Sequence, residues 1–156
     1  MADYGFLSVL EEEMTVNCDY DFAINWDKRR HAVEVSFILQ AQNKAGIKTV
    51  DAKGNSSGDD ILFEDCVLFY NPQKTVFNKE DYLAAIPYEP KKGLSREFLV
   101  FFAQFLNDTA DKGLDALIDF LENPETQEFF IVWDRQAFAE GRAALEEKEF
   151  YPYPRY

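Results

Sequence analysis

The chain has 156 residues and a formal net charge of −13, from 29 acidic and 16 basic side chains. A chain of this length makes one domain and buries about 70% of its unfolded surface, so it needs neither disulfide nor metal to fold. Its acidity makes it a poor binder of phosphate backbones, so no nucleic-acid partner is expected, and 47% hydrophobic with 16% aromatic residues excludes a disordered chain.

The first fourteen residues carry no Lys or Arg, and Glu11, Glu12 and Glu13 interrupt their apolar run. That is not a secretory leader. Residues 4–16 predict an amphipathic helix with Phe6, Leu7, Leu10 and Met14 at helical spacing. A hairpin follows, in which Phe22, Ile24 and Trp26 alternate, as do His31, Val33, Val35, Phe37 and Leu39. A loop of Asp27, Lys28, Arg29 and Arg30 would set Trp26 opposite His31, Ile24 opposite Val33 and Phe22 opposite Val35, all on one face. Ile47–Asp51 is a weaker strand, and residues 52–60, rich in Gly, Ser and Asn, read as a loop tip. Ile61–Tyr70 is a strong strand whose alternation breaks at Glu64 and Asp65, which predicts a bulge.

Asn78 begins a short helix that must stop before Pro87, with Phe77 and Tyr82 as its staple. Ser95 caps a helix stapled by Leu94 and Leu99, and Asp134 caps another stapled by Trp133 and Phe138. Between them lie Gly113 and the stripe Leu114, Leu117, Ile118 and Leu121, ended by Asn123 and Pro124. Phe129–Trp133 is apolar on both parities and reads as a strand covered on both faces. The order α-β-β-β-β-α-α-α-β-α predicts an α+β fold: an antiparallel sheet of four to five strands with helices mainly on one face. One domain spans residues 1–156, with 150–156 as an aromatic and proline-rich strap.

Charge is uneven along the chain. Residues 28–96 hold eleven bases and nine acids, whereas residues 97–149 hold thirteen acids and four bases. The longest strongly apolar stretch, Phe98 to Leu106, falls short of the about 20 residues a membrane span needs, so no membrane partner is expected. Cys18 and Cys66 form no CxxC pair and read as reduced, small apolar core residues of a cytoplasmic protein.

Five features are candidates for function. His31 is the only histidine, so His-rich metal sites are excluded, and it reads as an aromatic-edge cap on the sheet. Lys28, Arg29 and Arg30 form a basic hairpin tip that would suit an acidic partner or a solvated turn. If one helix ran through Gly113, Asp108, Asp111, Asp115, Asp119 and Glu122 would share one side, as a solvated face, a divalent-cation surface or a mimic of a phosphate backbone; an EF-hand reading fails because Ala110 and Lys112 take ligand positions. Phe98, Phe101, Phe102 and Phe105 make a helix face so apolar that it is either core or the lining of a pocket or interface. The tail, with Tyr151, Tyr153 and Tyr156 between prolines, is a strap over its own domain or an anchor on a partner or second copy. No Walker loop, GxGxxG, GxSxG or HExxH occurs, and no catalytic residue, metal site or cofactor is assigned.

The segments YGFLSVLEEEM, INWDKRRHAVEV, VLFYNPQK, IPYEPKKGLSREFL and EFYPYPRY resemble, end to end, a family of uncharacterised cytosolic proteins from low-GC Gram-positive bacteria of the lactic-acid group, a domain of unknown function. The resemblance implies source and compartment and carries no catalytic residues. The leading expectation is a small, acidic, non-enzymatic cytosolic interaction protein that binds a protein partner or itself. The alternatives are a hydrophobic small-molecule site lined by Phe98, Phe102 and nearby Tyr, and a divalent-metal site made of carboxylates alone.

Overall fold

Phe6, Val9, Leu10 and Met14 recur every three to four residues, and a helix brings them to one side. Helix α1 (Phe6–Asn17) buries all four. The computed structural model describes residues 4–42, 49–50, 56–57, 60–123, 129 and 131–154. After α1 come β1 (Asp21–Asp27), β2 (Ala32–Gln42), β3 (Thr49–Val50), β4 (Ser56–Ser57) and β5 (Asp60–Tyr70). A 3-10 turn (Lys79–Asp81), β6 (Ala84–Pro87), β7 (Leu94–Ser95), α2 (Arg96–Glu122), α3 (Arg135–Ala143) and β8 (Phe150–Tyr151) complete the chain. The fold is α+β.

The main sheet has the order β1-β2-β5-β6, and two further two-residue pairs join β3 to β4 and β7 to β8. β1, β2 and β5 are antiparallel, but β6 runs parallel to β5, so the sheet is mixed rather than antiparallel as expected. Val33, Val35, Phe37 and Leu39 of β2 are fully buried, together with Val67 and Phe69 of β5. They form one core with Phe6 and Leu10 of α1 and with Phe98, Leu99, Phe102 and Leu106 of α2.

Four expectations need correction. The hairpin pairs Trp26 with Val33, Ile24 with Val35 and Phe22 with Phe37, two residues away from the expected register. His31 is the cause: it takes a left-handed φ of 52° and closes the loop itself, its N–H bonded to the Lys28 carbonyl. Asp27 becomes the last strand residue, and its carboxylate accepts the Arg30 N–H. A two-residue slip keeps side-chain parity, so Ile24 and Val33 still share a face. No bulge interrupts β5, whose register against β2 is continuous from Asp60 to Tyr70. Asp65 instead takes a core-face position opposite Phe37, where burial raises its pKa and the Cys66 N–H partly offsets this.

The helices expected on either side of Gly113 are one helix, α2. Gly113 does not break it but lets it approach its neighbours: a Cβ there would lie 3.1 Å from Ile131 and 3.2 Å from Leu39. Ile131 to Trp133 form no strand, and Val132 is 66% exposed, so the segment is not covered on both sides. Ile131, 7% exposed, turns into the core, and Phe129 and Trp133 pack against its edge half-buried. Of the expected strand Ile47–Asp51, Thr49 and Val50 pair with Ser57 and Ser56; residues 47, 48 and 51, and most of the expected loop tip 52–60, lie outside the described residues.

Candidate functional site

The phenylalanine face is core. Phe98 and Phe102 are fully buried, and α3 lies over Phe101 and Phe105. The Asp134 carboxylate starts α3 by accepting the Ala137 N–H at 3.0 Å, which sends Phe138 inward. The Phe138 ring then lies 5.3 Å from Phe101, 5.1 Å from Phe105 and 5.1 Å from its staple partner Trp133. Gly141 allows this closeness, since a Cβ there would meet the Phe101 ring at 2.5 Å.

The tail folds back on its own chain over residues 150–154; Tyr156 lies outside the described residues. β8 pairs with β7, the Phe6 N–H donates to the Pro152 carbonyl, and the Tyr153 N–H donates to the Pro90 carbonyl. The Tyr153 ring stacks on Tyr88 with a 4.9 Å centroid distance and accepts the Trp26 indole N–H at its hydroxyl, 2.7 Å away. It also approaches His31 at 6.3 Å, so Trp26 and His31 both meet Tyr153. Two glycines with positive φ make room: a Cβ on Gly93 would stand 1.7 Å from the Tyr151 carbonyl oxygen, and one on Gly5 2.2 Å from that of Pro152.

A polar latch holds the approach to this strap. Glu97 accepts the N–H groups of Lys148 and Glu149, which keep its pKa below the usual carboxylate range. Ser95 caps α2 by accepting the Phe98 N–H and donates its own hydroxyl to Glu147 at 2.7 Å. Arg96 bridges Glu13 at 2.7 Å, Glu12 at 3.2 Å and Glu149 at 3.2 Å, tying α1, α2 and the tail together.

The other candidates are not assembled into a site. Arg30 pairs loosely with Asp27 and Glu34 and bonds the Val76 carbonyl, Lys28 lies over the Trp26 ring, and Arg29 is exposed. The five candidate acids, Asp108, Asp111, Asp115, Asp119 and Glu122, face solvent, with Asp111 accepting the Tyr20 hydroxyl at 2.5 Å. Among the described residues no three His, Cys, Asp or Glu side chains converge as a metal site would require.

Two clefts remain. The smaller, about 240 Å³, is lined by Tyr82 and β6 together with Trp133 and Phe138, and carries the exposed cations Lys79 and Arg135. The larger, about 520 Å³, lies among three segments: Asn71 to Gln73 after β5, Pro87 to Leu94, and Arg142, Glu147 and Phe150. Phe98, Phe101, Phe102 and Phe105 line neither, so the expected phenylalanine pocket is not one of these clefts.

Sequence reasoning missed the groups that set the larger cleft apart. Arg142 is half-buried, its guanidinium carbon 4.0 Å over the Phe98 ring. Burial lowers its pKa, which nearby Glu147 partly restores, yet no carboxylate pairs with it among the described residues. Asn71 is 4% exposed. Its side-chain oxygen accepts the Gln73 N–H and its backbone N–H donates to Thr75, while its amide NH2 finds no acceptor among the described residues. Their spacing of 71 residues in sequence gave no motif to read.

Both thiols are partly buried. Burial, then Glu34 and the neighbouring acids, push the Cys66 thiol up to about 12, and burial raises Cys18 as well. Tyr88 is held neutral by burial and donates its hydroxyl to the His31 carbonyl.

No helix among the described residues is long and apolar enough to cross a membrane. No curated protein matches the chain. A solved structure, a conserved protein of unknown function from Enterococcus faecalis, is similar with a TM-score of 0.85 and 34% identity, over 99% of this chain and 98% of that one. The family model described as "Protein of unknown function (DUF3013)" matches residues 1–155, in keeping with the resemblance carried by the segments above. The chain therefore belongs to the DUF3013 family, whose function is unknown.

Proposed function

We propose that this chain is an acidic, cytoplasmic binding protein that takes a small ligand or a short segment of a partner in its larger cleft and performs no covalent chemistry. The observation that carries this reading is the cleft's construction. Its about 520 Å³ falls in the range of small-molecule sites. Its walls are fixed by the β7–β8 pair, by the Glu97 bonds to the tail and by three prolines, Pro72, Pro87 and Pro90, so little entropy is lost on binding. Thiols held protonated by burial support binding over nucleophilic catalysis. Two unpaired cysteines support a reducing compartment, and the net charge of −13 weighs against a nucleic-acid partner.

Self-association receives less support, because the phenylalanine face and residues 150–154, the two features that suggested it, are engaged within the chain. A fragment screen followed by amide NMR shifts tests the proposal. Hits should perturb Gln73, Gly93, Leu94 and Phe150; hits confined to Ala85, Trp133 and Phe138 would transfer the function to the smaller cleft.

A further inference from the structure

We propose that the larger cleft is a receptor for a carboxylate with an apolar body, its acid head taken by Arg142 and Asn71. This rests on the binding reading above and goes on to name the ligand's chemistry.

The argument is one of unspent donors. A buried polar group without a partner is costly, so folds seldom keep one without use. Here the Asn71 amide NH2, in a residue 4% exposed, and the Arg142 guanidinium both lack acceptors among the described residues, and the two residues line one cleft. Stacking on Phe98 fixes the Arg142 side chain without using its N–H donors.

The cleft's own acids are already committed. Glu147 accepts the Ser95 hydroxyl, and Glu89 accepts the N–H groups of Lys91 and Lys92. Lys92 sits 4.4 Å over the Phe150 ring and adds a second cation. A ligand acceptor carrying negative charge would satisfy the donors that these acids leave open. A carboxylate offers two oxygens to a guanidinium fork, and an amide NH2 can reach the same group. Pro87, Pro90, Leu94 and Phe150 leave apolar wall for the rest of the ligand.

The test uses phenylacetate, its neutral isostere phenylacetamide, and inorganic phosphate, each titrated into the full chain by NMR. Phenylacetate should shift Gly93 and Leu94 and bind about tenfold or more tighter than phenylacetamide. Arg142→Gln should lose that discrimination, and Arg142→Lys should recover only part of it, with melting temperatures checking that each variant is folded. Asn71→Asp, which sets a charge against the ligand, should weaken phenylacetate and not phenylacetamide. Equal binding of acid and amide would overturn the carboxylate claim and leave the binding cleft standing. Phosphate binding as tightly as phenylacetate would overturn the apolar-body claim. If all three probes leave the cleft silent while other fragments bind there, the inference fails; if no fragment binds, the cleft reading fails with it.

Discussion

The two clefts differ in their best-anchored cation. Lys79 and Arg135 stand exposed at the smaller cleft, where water satisfies them and side-chain freedom is large. Arg142 at the larger cleft is half-buried and stacked on a fully buried ring. An exposed cation gains little from an anion, about 0–1 kcal/mol, because it exchanges one good solvent shell for another. A partly desolvated and pre-oriented guanidinium has already lost part of that shell, so a ligand acceptor returns more to it. On the proposed reading, burial and anchoring set Arg142 apart as an anion binder in a chain of charge −13.

Breaking the scaffold of the larger cleft should have the largest effect. Gly93 has φ 75°, and a Cβ there would collide with the Tyr151 carbonyl. Gly93→Ala is expected to cost about 3 kcal/mol or more, lowering the melting temperature by about 6–12 °C for a chain of this size. Ligand shifts at Leu94 should vanish with it, while Trp133 at the smaller cleft keeps its fluorescence.

Exchanging the cations sharpens the comparison next. Arg142→Gln should weaken phenylacetate by about tenfold, and Arg135→Gln should leave the affinity unchanged. Equal losses in an isothermal titration would mean that general electrostatics, rather than one anchored guanidinium, attract the ligand.

Arg96→Ala removes a bridge to three carboxylates and should cost about 1 kcal/mol, since the cluster is partly exposed. The loss should shrink in 1 M salt, which screens exposed charges. A salt-independent loss in urea unfolding would point to packing against Tyr151 instead.

The smallest effect belongs to Asp65, which lines neither cleft. Burial raises its folded pKa above the unfolded value, so folding favours its protonated form. Its contribution to stability is present below the unfolded carboxylate range and is lost as pH rises through the folded pKa. Asp65→Asn should therefore stabilise the protein at pH 7 by up to about 1 kcal/mol, with the gain fading below about pH 4. Ligand affinity should not change.

Elements with a local signal were legible in the sequence. Ser95, Asn78 and Asp134 each cap as their spacing implied, because capping joins neighbours in the chain. Strand parity was readable in Phe22–Trp26 and Val33–Leu39, but the register depended on one dihedral at His31. Gly113 looked like a break because sequence does not reveal that Ile131 and Leu39 crowd it from afar. β6 escaped notice since Ala84–Pro87 is short and its parallel pairing with β5 is a tertiary event. The five residues Phe129–Trp133 suggested a strand by composition alone, whereas Ile131 alone of the described ones among them is fully turned inward. The candidate site was the least legible part. Tyr151 and Tyr153 drew attention by their chemistry, but Arg142 and Asn71 stand out by donors without an acceptor among the described residues, and a sequence records no missing bond.

The most direct measurement is a set of intermolecular NOEs from the ring protons of bound phenylacetate. The account predicts contacts to the Leu94 methyls and the Phe150 ring, lost in Arg142→Gln at the same ligand concentration. Contacts to Trp133 and Phe138, persisting in that variant, would contradict it.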